Sequence, residues 1–245
     1  MDRSQAAARE HRTVSRVVGI LELVAAASEP VRLPAVAEAL AAPKTSAHGL
    51  VKGLVATGYL RESEGGYVLG PAVSTLLGAV DSPVGEAARP LLEKLRAAFD
   101  ETVILSTRVG SSVVYLDMVE STQFIRYAAP LRQRRPIFPT STGKCFLAAM
   151  PAAHRDAVLA EFVHDPEQLT RVRAELDLAR VEGVAYNRGE TVPDVSAAAS
   201  LVLVPGRSPV AVAVVGPTTR VEPRLPDIAA AVKEAAAEIA RVRPA

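Results

Sequence analysis

The sequence has few of the residues that build disulfides, metal centres and membrane spans. It contains a single cysteine, Cys145, which excludes an internal disulfide framework and a cysteine-rich zinc site. Its four histidines have no spacing typical of metal ligands. The apolar runs are too short or too interrupted to span a bilayer, and the first twelve residues lack the apolar core of a signal peptide. We therefore predict a soluble, cytoplasmic protein with no cofactor, no metal and no membrane partner.

The chain also lacks an excess of charge of either sign. Its formal net charge is +1 at pH 7, so no global field favours a nucleic acid partner and any electrostatic footprint must be local. What the chain does have is length and apolar content. Its 245 residues, of which 49% are hydrophobic, are enough for two domains with sizeable cores.

Residues 31–70 have the pattern of a winged helix-turn-helix. Apolar residues at helical spacing predict a short helix that starts at Leu33. A second helix starts at Lys44, after a break that contains a proline. Two short strand-like runs then flank the glycine turn at 64–66, which suits a hairpin. Two helices joined by a short turn and followed by a two-stranded wing are typical of a DNA-binding module.

The outer face of the second helix contains the residues that we expect to read DNA. No acidic residue occurs between Glu38 and Arg61. Short hydroxyls at the start of a helix can reach base edges in the major groove, while lysine and the helix dipole favour phosphate. The predicted DNA contacts are Lys44, Thr45, Ser46, His48 and Lys52, together with Arg12 and Arg16 of a basic N-terminal arm. The alternative is a solvated polar face on an ordinary three-helix bundle.

The rest of the pattern predicts a second, larger domain. A helix at 14–27, capped by Thr13, completes the first domain at 1–70. A linker helix at 71–83 leads to the second domain at 84–245. Further helices are predicted at 84–100, 140–150, 151–162, 170–182 and 226–242, and strands at 102–109, 113–120, 124–128, 184–188, 197–204 and 210–215. The predicted fold class is α+β, with an antiparallel sheet of about six strands flanked by helices.

The helix predicted to start at Thr140 is a candidate anion site. Its first turn contains hydroxyls and a glycine, and free N–H groups beside hydroxyls at a helix start suit a carboxylate. The preceding loop at 130–139 is basic. From Ser121 through Arg155 the chain has no acid and six cations, which are Arg126, Arg132, Arg134, Arg135, Lys144 and Arg155. This stretch could capture an anionic effector or partner, or form a solvated rim.

Several stretches in fixed order carry a family resemblance. They are SRVVGILELVAAA, LPAVAEALAAPKTSAHGLVKGLVATGYLRESEGGYVLG, ARPLLEKLRAAFDETVILS, VVYLDMVES, PTSTGKCFLA, VEGVAYNRGE and AVAVVGP. In their order and spacing, from about Thr13 to the last helix, the chain resembles the IclR family of bacterial transcriptional regulators. The resemblance implies a winged module joined to an effector-binding domain related to GAF domains, and assembly as a homodimer or homotetramer.

The resemblance also implies roles for single residues. The family's recognition helix usually opens Pro-Lys-Ser-Thr-Val-His-Arg, so Gly49 stands where an arginine is common. The family's effector pocket corresponds here to Ser141, Thr142, Gly143, Asn187, Ala197, Ala213 and Val215. Asn187 stands where a carboxylate is common, and the last three replace a cysteine and two serines. Because hydrogen-bonding groups are missing from one wall, we expect an effector bulkier or more apolar than a two- or three-carbon acid, such as an aromatic or acyl carboxylate.

These observations predict a sequence-specific DNA-binding transcriptional regulator, with repression as the expected mode, controlled by a small-molecule carboxylate. A symmetric dimer would place two recognition helices in successive major grooves of an inverted-repeat operator. The effector would act through the linker helix, and only as far as its affinity differs between the two arrangements.

Three alternatives stay open. The second domain could mediate oligomerisation only, or the chain could be an interaction protein that has lost DNA binding, although the polar second helix argues against this. An enzyme would need a base beside Cys145. His154 lies beyond a predicted helix break, and a cysteine on an apolar helix stripe is more often a core residue.

Overall fold

In a computed structural model of the chain, the structure describes residues 11–73, 83–204 and 207–241, and the side chains of 83–87 lie outside that description. The fold divides into two units, Met1–Asp81 and Ser82–Ala245. Most of the predicted linker helix falls at residues 74–82, outside the described residues.

The first unit is a three-helix core with a two-stranded wing. Its elements are α1 Arg12–Ala26, α2 Leu33–Ala39, α3 Lys44–Ala56, β1 Leu60–Ser63 and β2 Gly66–Leu69. The two strands are antiparallel, with Leu60 opposite Leu69, and a bridge between Val31 and Tyr67 ties the start of α2 to the wing. Helices and wing share one core, made of Ile20, Val24, Val31, Val36, Ala37, Ala47, Val51, Leu54 and Leu60.

The start of α1 differs from the prediction. The predicted cap at Thr13 is wrong, because the helix begins at Arg12 after His11 and has no side-chain cap. Packing of the apolar stripe around Ile20 and Val24 stabilises the helix instead. Arg12 is therefore a helical residue rather than part of an arm before the helix, and Arg16 lies within the helix as predicted.

The second unit consists of one antiparallel sheet and its flanking helices. Its elements are α4 Pro83–Phe99, β3 Thr102–Val109, β4 Ser112–Val119, β5 Arg134–Pro136, α5 Ser141–Ala149, α6 Ala152–Leu159, α7 Pro166–Glu182, β6 Ala185–Arg188, β7 Val195–Val202, β8 Val210–Pro217, α8 Thr218–Val221, a 3-10 turn Glu222–Arg224 and α9 Leu225–Arg241. The strand order is β5-β4-β3-β8-β7-β6, and each neighbouring pair is antiparallel. The predicted α+β class is confirmed.

The sheet separates two hydrophobic cores. One lies beneath α4 and α9 and includes Leu92, Val103 and Ile228. The other lies beneath α5 and α7 and includes Ile104 and Leu176. Residues that alternate along each strand therefore contribute to opposite cores.

The predicted strand at 124–128 is wrong. Phe124 and Ile125 are 98% and 70% exposed, and the segment is held by side chains rather than by a strand ladder. Asp100 accepts hydrogen bonds from Thr122 Oγ1 and Gln123 Nε2, both at 2.8 Å. The sixth strand is β5 instead, which pairs with the start of β4.

One helix start also changes. α7 starts at Pro166 rather than at Thr170, because Asp165 accepts a hydrogen bond from Gln168 N at 2.9 Å and caps the helix. α4 is a single helix that contains Pro90.

Candidate nucleic-acid interface and ligand cavity

The exposed face of α3 brings the predicted DNA contacts together. The helix buries Ala47, Val51 and Leu54 in the first unit. All five predicted residues lie on its exposed side: Lys44, Thr45, Ser46, His48 and Lys52. Pro43 at the N-cap forms no side-chain hydrogen bond to the first turn, so the first N–H groups remain open to an anion. This end of α3 can bind a phosphate and present short polar side chains to bases.

Two glycines flatten the same face. Gly49 and Gly53 both lie on the exposed side, and a Cβ at either position would meet nothing within 4 Å. The backbone of α3 can therefore approach another molecule closely here, while the arginine expected at position 49 from the resemblance is missing.

Lys52 is already paired with the wing. Its Nζ lies 2.7 Å from Oε1 of Glu62 on β1. This hydrogen bond raises the pKa of Lys52 and lowers the pKa of Glu62. Sequence reasoning missed the pair because Glu62 lies just past the acid-free stretch, and only the fold of the wing brings it back onto α3.

The two predicted arginine contacts lie on α1. Arg12 is exposed and Arg16 is half-buried. Their helical position fixes them on one element of the three-helix core, which restricts how far either side chain can reach.

In the second unit, the first turn of α5 borders a small cavity above the sheet. Its free volume is about 40 Å³. Six of the seven residues predicted for an effector pocket line this cavity: Ser141, Thr142, Asn187, Ala197, Ala213 and Val215. The remaining one, Gly143, does not. A Cβ at Gly143 would overlap the carbonyl oxygen of Ile137, so glycine at this position allows α5 to pack closely on the preceding segment.

The strands under the cavity contribute polar side chains on either side of an apolar middle. The lining residues come from five adjacent strands, from Asn187 on β6 to Tyr115 on β4. Ala197, Ala213 and Val215 form the apolar middle.

The first turn of α5 contributes an unused polar group. Thr140 caps the helix, since its Oγ1 accepts a hydrogen bond from Gly143 N at 3.1 Å and donates to Ile137 O at 3.0 Å. Thr142 is 3% exposed, and its Oγ1 is buried with no hydrogen-bond partner among the described residues. A buried hydroxyl without a partner costs about 1–3 kcal/mol. A ligand that bonds Thr142 would recover part of this cost.

Two tyrosines also line the cavity. The hydroxyl groups of Tyr115 and Tyr127 lie 3.4 Å apart. Burial raises the pKa of Tyr115, so its hydroxyl stays protonated and can donate. The guanidinium carbon of Arg135 lies 4.9 Å from the Tyr115 ring centroid, which holds the ring in place.

The cations between residues 121 and 155 do not form a uniform solvated rim. Lys144 is 1% exposed, and its Nζ lies 2.7 Å from Glu175 Oε1 and 2.6 Å from Glu190 Oε2. Arg155 is also buried. The rim interpretation is therefore wrong for these two residues, because distant acids fold back onto Lys144. Glu190 belongs to the loop between β6 and β7, which closes one side of the cavity.

Cys145 is placed as a core residue. Its Sγ lies 3.2 Å from Ala199 O, and burial raises the pKa of the thiol to about 12. A protonated, buried thiol is a poor nucleophile. His154 is exposed on α6. Within residues 11–73, 83–204 and 207–241, no group of three or more His, Cys, Asp or Glu side chains could hold a metal ion.

Comparison with known proteins identifies the family. The model of the IclR helix-turn-helix domain matches residues 13–64, and that of the bacterial transcriptional regulator IclR C-terminal domain matches 79–241. The chain belongs to the IclR family. The predicted resemblance is confirmed, and with it a transcriptional regulator that has a helix-turn-helix DNA-binding domain. IclR proteins are transcriptional regulators, and some are repressors.

Individual IclR proteins match over most of their length. The probable transcriptional regulator SauR of Cupriavidus necator is 30% identical over 194 residues, which is 75% of this chain and 77% of SauR. An IclR-type structure from Silicibacter has a TM-score of 0.77 at 25% identity and covers 95% of this chain and 98% of its own. An IclR homologue from Microbacterium hydrocarbonoxydans, solved in complex with 4-hydroxybenzoate, has a TM-score of 0.72 at 24% identity and covers 93% of this chain and 97% of its own.

Small-molecule effector binding occurs in the IclR family. In the second unit, most of the residues expected to bind an effector meet at the cavity.

Among the helices within the described ranges, none is long and apolar enough to cross a membrane.

Proposed function

We propose that this chain is a transcriptional repressor whose operator affinity is set by an aromatic carboxylate bound in the cavity beneath α5. The observation that supports this most directly is Thr142 Oγ1, a buried hydroxyl without a partner at the start of a helix and at the wall of a cavity. A carboxylate beside the first turn of α5 would accept hydrogen bonds from Thr142 Oγ1 and from free backbone N–H groups.

The rest of the cavity favours a ligand with a second polar group. The wall formed by Ala197, Ala213 and Val215 is apolar, which suits a ring rather than a short hydrophilic acid. The Tyr115 and Tyr127 hydroxyls line the same cavity and can bond a second hydroxyl of the ligand. A hydroxylated aromatic acid fits this set of groups, and the homologue from Microbacterium hydrocarbonoxydans was solved with 4-hydroxybenzoate.

Binding requires the cavity to expand. The free volume is about 40 Å³, whereas a cavity of roughly 150 Å³ accommodates a benzene ring. Thr191, Val192 and Tyr127 line the cavity from loops rather than from strands. We therefore assign the opening to these loops, and this movement is the change that an effector would stabilise.

At the other end of the chain, we propose that α3 enters the major groove of an inverted-repeat operator as part of a symmetric dimer. Lys44, Thr45, Ser46 and His48 would make base or phosphate contacts at the uncapped helix start, and Arg12 and Arg16 would lie near the phosphate backbone.

The test is a mobility-shift titration with the DNA that flanks the protein's own gene, at fixed salt. Replacing Lys44 or His48 by alanine should weaken specific binding about tenfold, the loss of one good base contact. Lys233→Ala, at an exposed lysine of α9 in the second unit, is the control and should bind like the wild type. Equal operator affinity for all four proteins would refute the assignment of α3 as the reader.

The ligand half of the proposal is tested in the same assay with 4-hydroxybenzoate, benzoate and pyruvate. We expect 4-hydroxybenzoate to release the operator at a lower concentration than benzoate does, and pyruvate to have no effect. If the mobility shift responds to none of the three acids, a role of the second unit in assembly would be favoured instead. Release by pyruvate alone would contradict the assigned ligand class.

A further inference from the structure

The pair between Lys52 and Glu62 lies on the surface that faces DNA in the proposed function, and the inference below rests on that function. Lys52 is near the middle of the exposed stripe of α3, one turn after His48. Glu62 is exposed on β1, and its Oε1 accepts a hydrogen bond from Lys52 Nζ at 2.7 Å. The side chains are 53% and 56% exposed, so both charges remain within reach of a third partner.

Glu62 interacts with the reading face at more than one position. Its pKa is lowered by the hydrogen bond and charge of Lys52 and, to a smaller extent, by the charge of His48. The carboxylate thus lies at the edge of the groove-facing stripe, next to two of the predicted DNA contacts. Between Glu38 and Glu62 the chain contains no other acid, so this is the first negative charge that follows the recognition helix.

An acid in this position is unfavourable for DNA binding in general. A lysine that binds a phosphate releases counterions and adds affinity for any sequence. Here Glu62 offsets the charge of Lys52 as long as the pair persists, and if the pair breaks, the freed carboxylate faces the negatively charged backbone. Non-specific complexes therefore lose the contribution of one cation per subunit and gain a repulsion.

We propose that Glu62 is a specificity-determining residue that withholds Lys52 from phosphates and so weakens binding to non-specific DNA more than binding to the operator. Specificity is a difference between two affinities, and it rises when the competing complex is made worse. An operator can compensate for Glu62 in ways that random DNA does not. The carboxylate can accept a hydrogen bond from a cytosine amino group in the major groove, and paired Lys52 can still use its remaining N–H donors on a base.

The wing provides a matched control. Glu64 lies two residues after Glu62, carries the same charge and is also exposed. Among the described residues, Glu64 has no ion pair. Glu62→Gln and Glu64→Gln change the net charge equally, so the difference between them reports the contact with Lys52 rather than long-range charge.

The experiment measures binding of the full chain, by anisotropy over a series of salt concentrations, to two fluorescent duplexes, the DNA that flanks the protein's own gene and a random sequence. We expect Glu62→Gln to bind the random duplex several-fold more tightly than the wild type at low salt and the gene-flanking duplex by a smaller factor. The slope of log K against log salt for the random duplex should steepen by about 0.9 per subunit. An equal gain on both duplexes would contradict a role in specificity. Glu64→Gln should change affinity less and should leave the slope near that of the wild type. The gain from Glu62→Gln should disappear in a Lys52→Met background, since the cycle isolates the pair.

Either of two other results would also overturn the proposal. One is equal affinity and slope for the wild type and Glu62→Gln. The other is a gain that is the same for both glutamates or that persists without Lys52. Circular dichroism spectra confirm that each variant is folded. A wild-type chain that shows no salt-dependent binding to any duplex would instead refute the proposed DNA-binding role of α3, so the two failures are distinguishable.

Discussion

Residues that alternate along one strand of the six-stranded sheet meet two different environments. On β8, Val210, Val212 and Val214 belong to the core beneath α4 and α9, whereas Ala211 and Ala213 belong to the core beneath α5 and α7. Alanine fills less space than valine. The three valines are at most 5% exposed in the first, packed face, whereas the second face retains a cavity at the start of α5.

The polar groups follow the same division. Thr142, Asn187 and Tyr115 are all buried and line the cavity, whereas the buried serines of β7 on the opposite face, Ser196 and Ser200, form hydrogen bonds with Thr218 Oγ1 and Gly183 O. A hydrophobic core gains stability from complete packing, whereas a binding site needs space and polar groups that bonds within the protein do not use up. We infer that one face of the sheet contributes mainly to stability and that the other provides the binding site.

The first prediction compares two neighbours on β3. Leu105 is fully buried in the packed core, and Ile104 is buried but borders the cavity. Leu105→Ala should lower the free energy of unfolding by an amount in the upper part of the range of about 2–5 kcal/mol, because it opens a new void. Ile104→Ala should fall in the lower part, since its side chain already has empty space on one side. Urea denaturation measures both, and an equal or larger loss for Ile104→Ala would contradict the division.

The second prediction adds volume instead of removing it. Ala198 on β7 is fully buried in the packed face, and Ala213 on β8 is 2% exposed and lines the cavity. Ala198→Val should cost about 1–3 kcal/mol of unfolding free energy through overpacking. Ala213→Val should cost less than about 1 kcal/mol, because part of the added volume enters existing space. Comparable losses for the two variants, measured by thermal or urea unfolding, would mean that the cavity cannot take a side chain.

Local patterns were sufficient for much of this fold. The start of α3 at Lys44 follows from the proline break, and the end of α7 at Gly183, whose φ is 75°, follows from the residue that favours that conformation. Strands were predicted at 197–204 and 210–215, where β7 and β8 lie, and the pocket residues that the resemblance placed there do line one cavity. In these places the local preference agrees with the tertiary structure.

Predictions failed where contacts with residues distant in the sequence determine the local structure. Phe124 and Ile125 have strand-like character, but hydrogen bonds from their segment to Asp100 hold it outside the sheet. Lys144 is in a basic stretch of sequence, yet it is buried against two acids from α7 and the loop after β6. No periodicity in the sequence encodes such contacts, because the partners become neighbours only after the sheet has formed.

The last prediction tests the polar wall with two threonines in the same turn. Thr142 Oγ1 has no hydrogen-bond partner among the residues described, and Thr140 Oγ1 accepts from Gly143 N and donates to Ile137 O. Thr142→Val should raise the free energy of unfolding of the ligand-free protein by about 1 kcal/mol, because it removes an unsatisfied hydroxyl while keeping the shape. Thr140→Val should lower it by about 1 kcal/mol through loss of the cap. Suppose that Thr142→Val is as destabilising as Thr140→Val. The Thr142 hydroxyl would then already have a hydrogen-bond partner in the ligand-free wild type, and the main observation in favour of a ligand in this cavity would be lost.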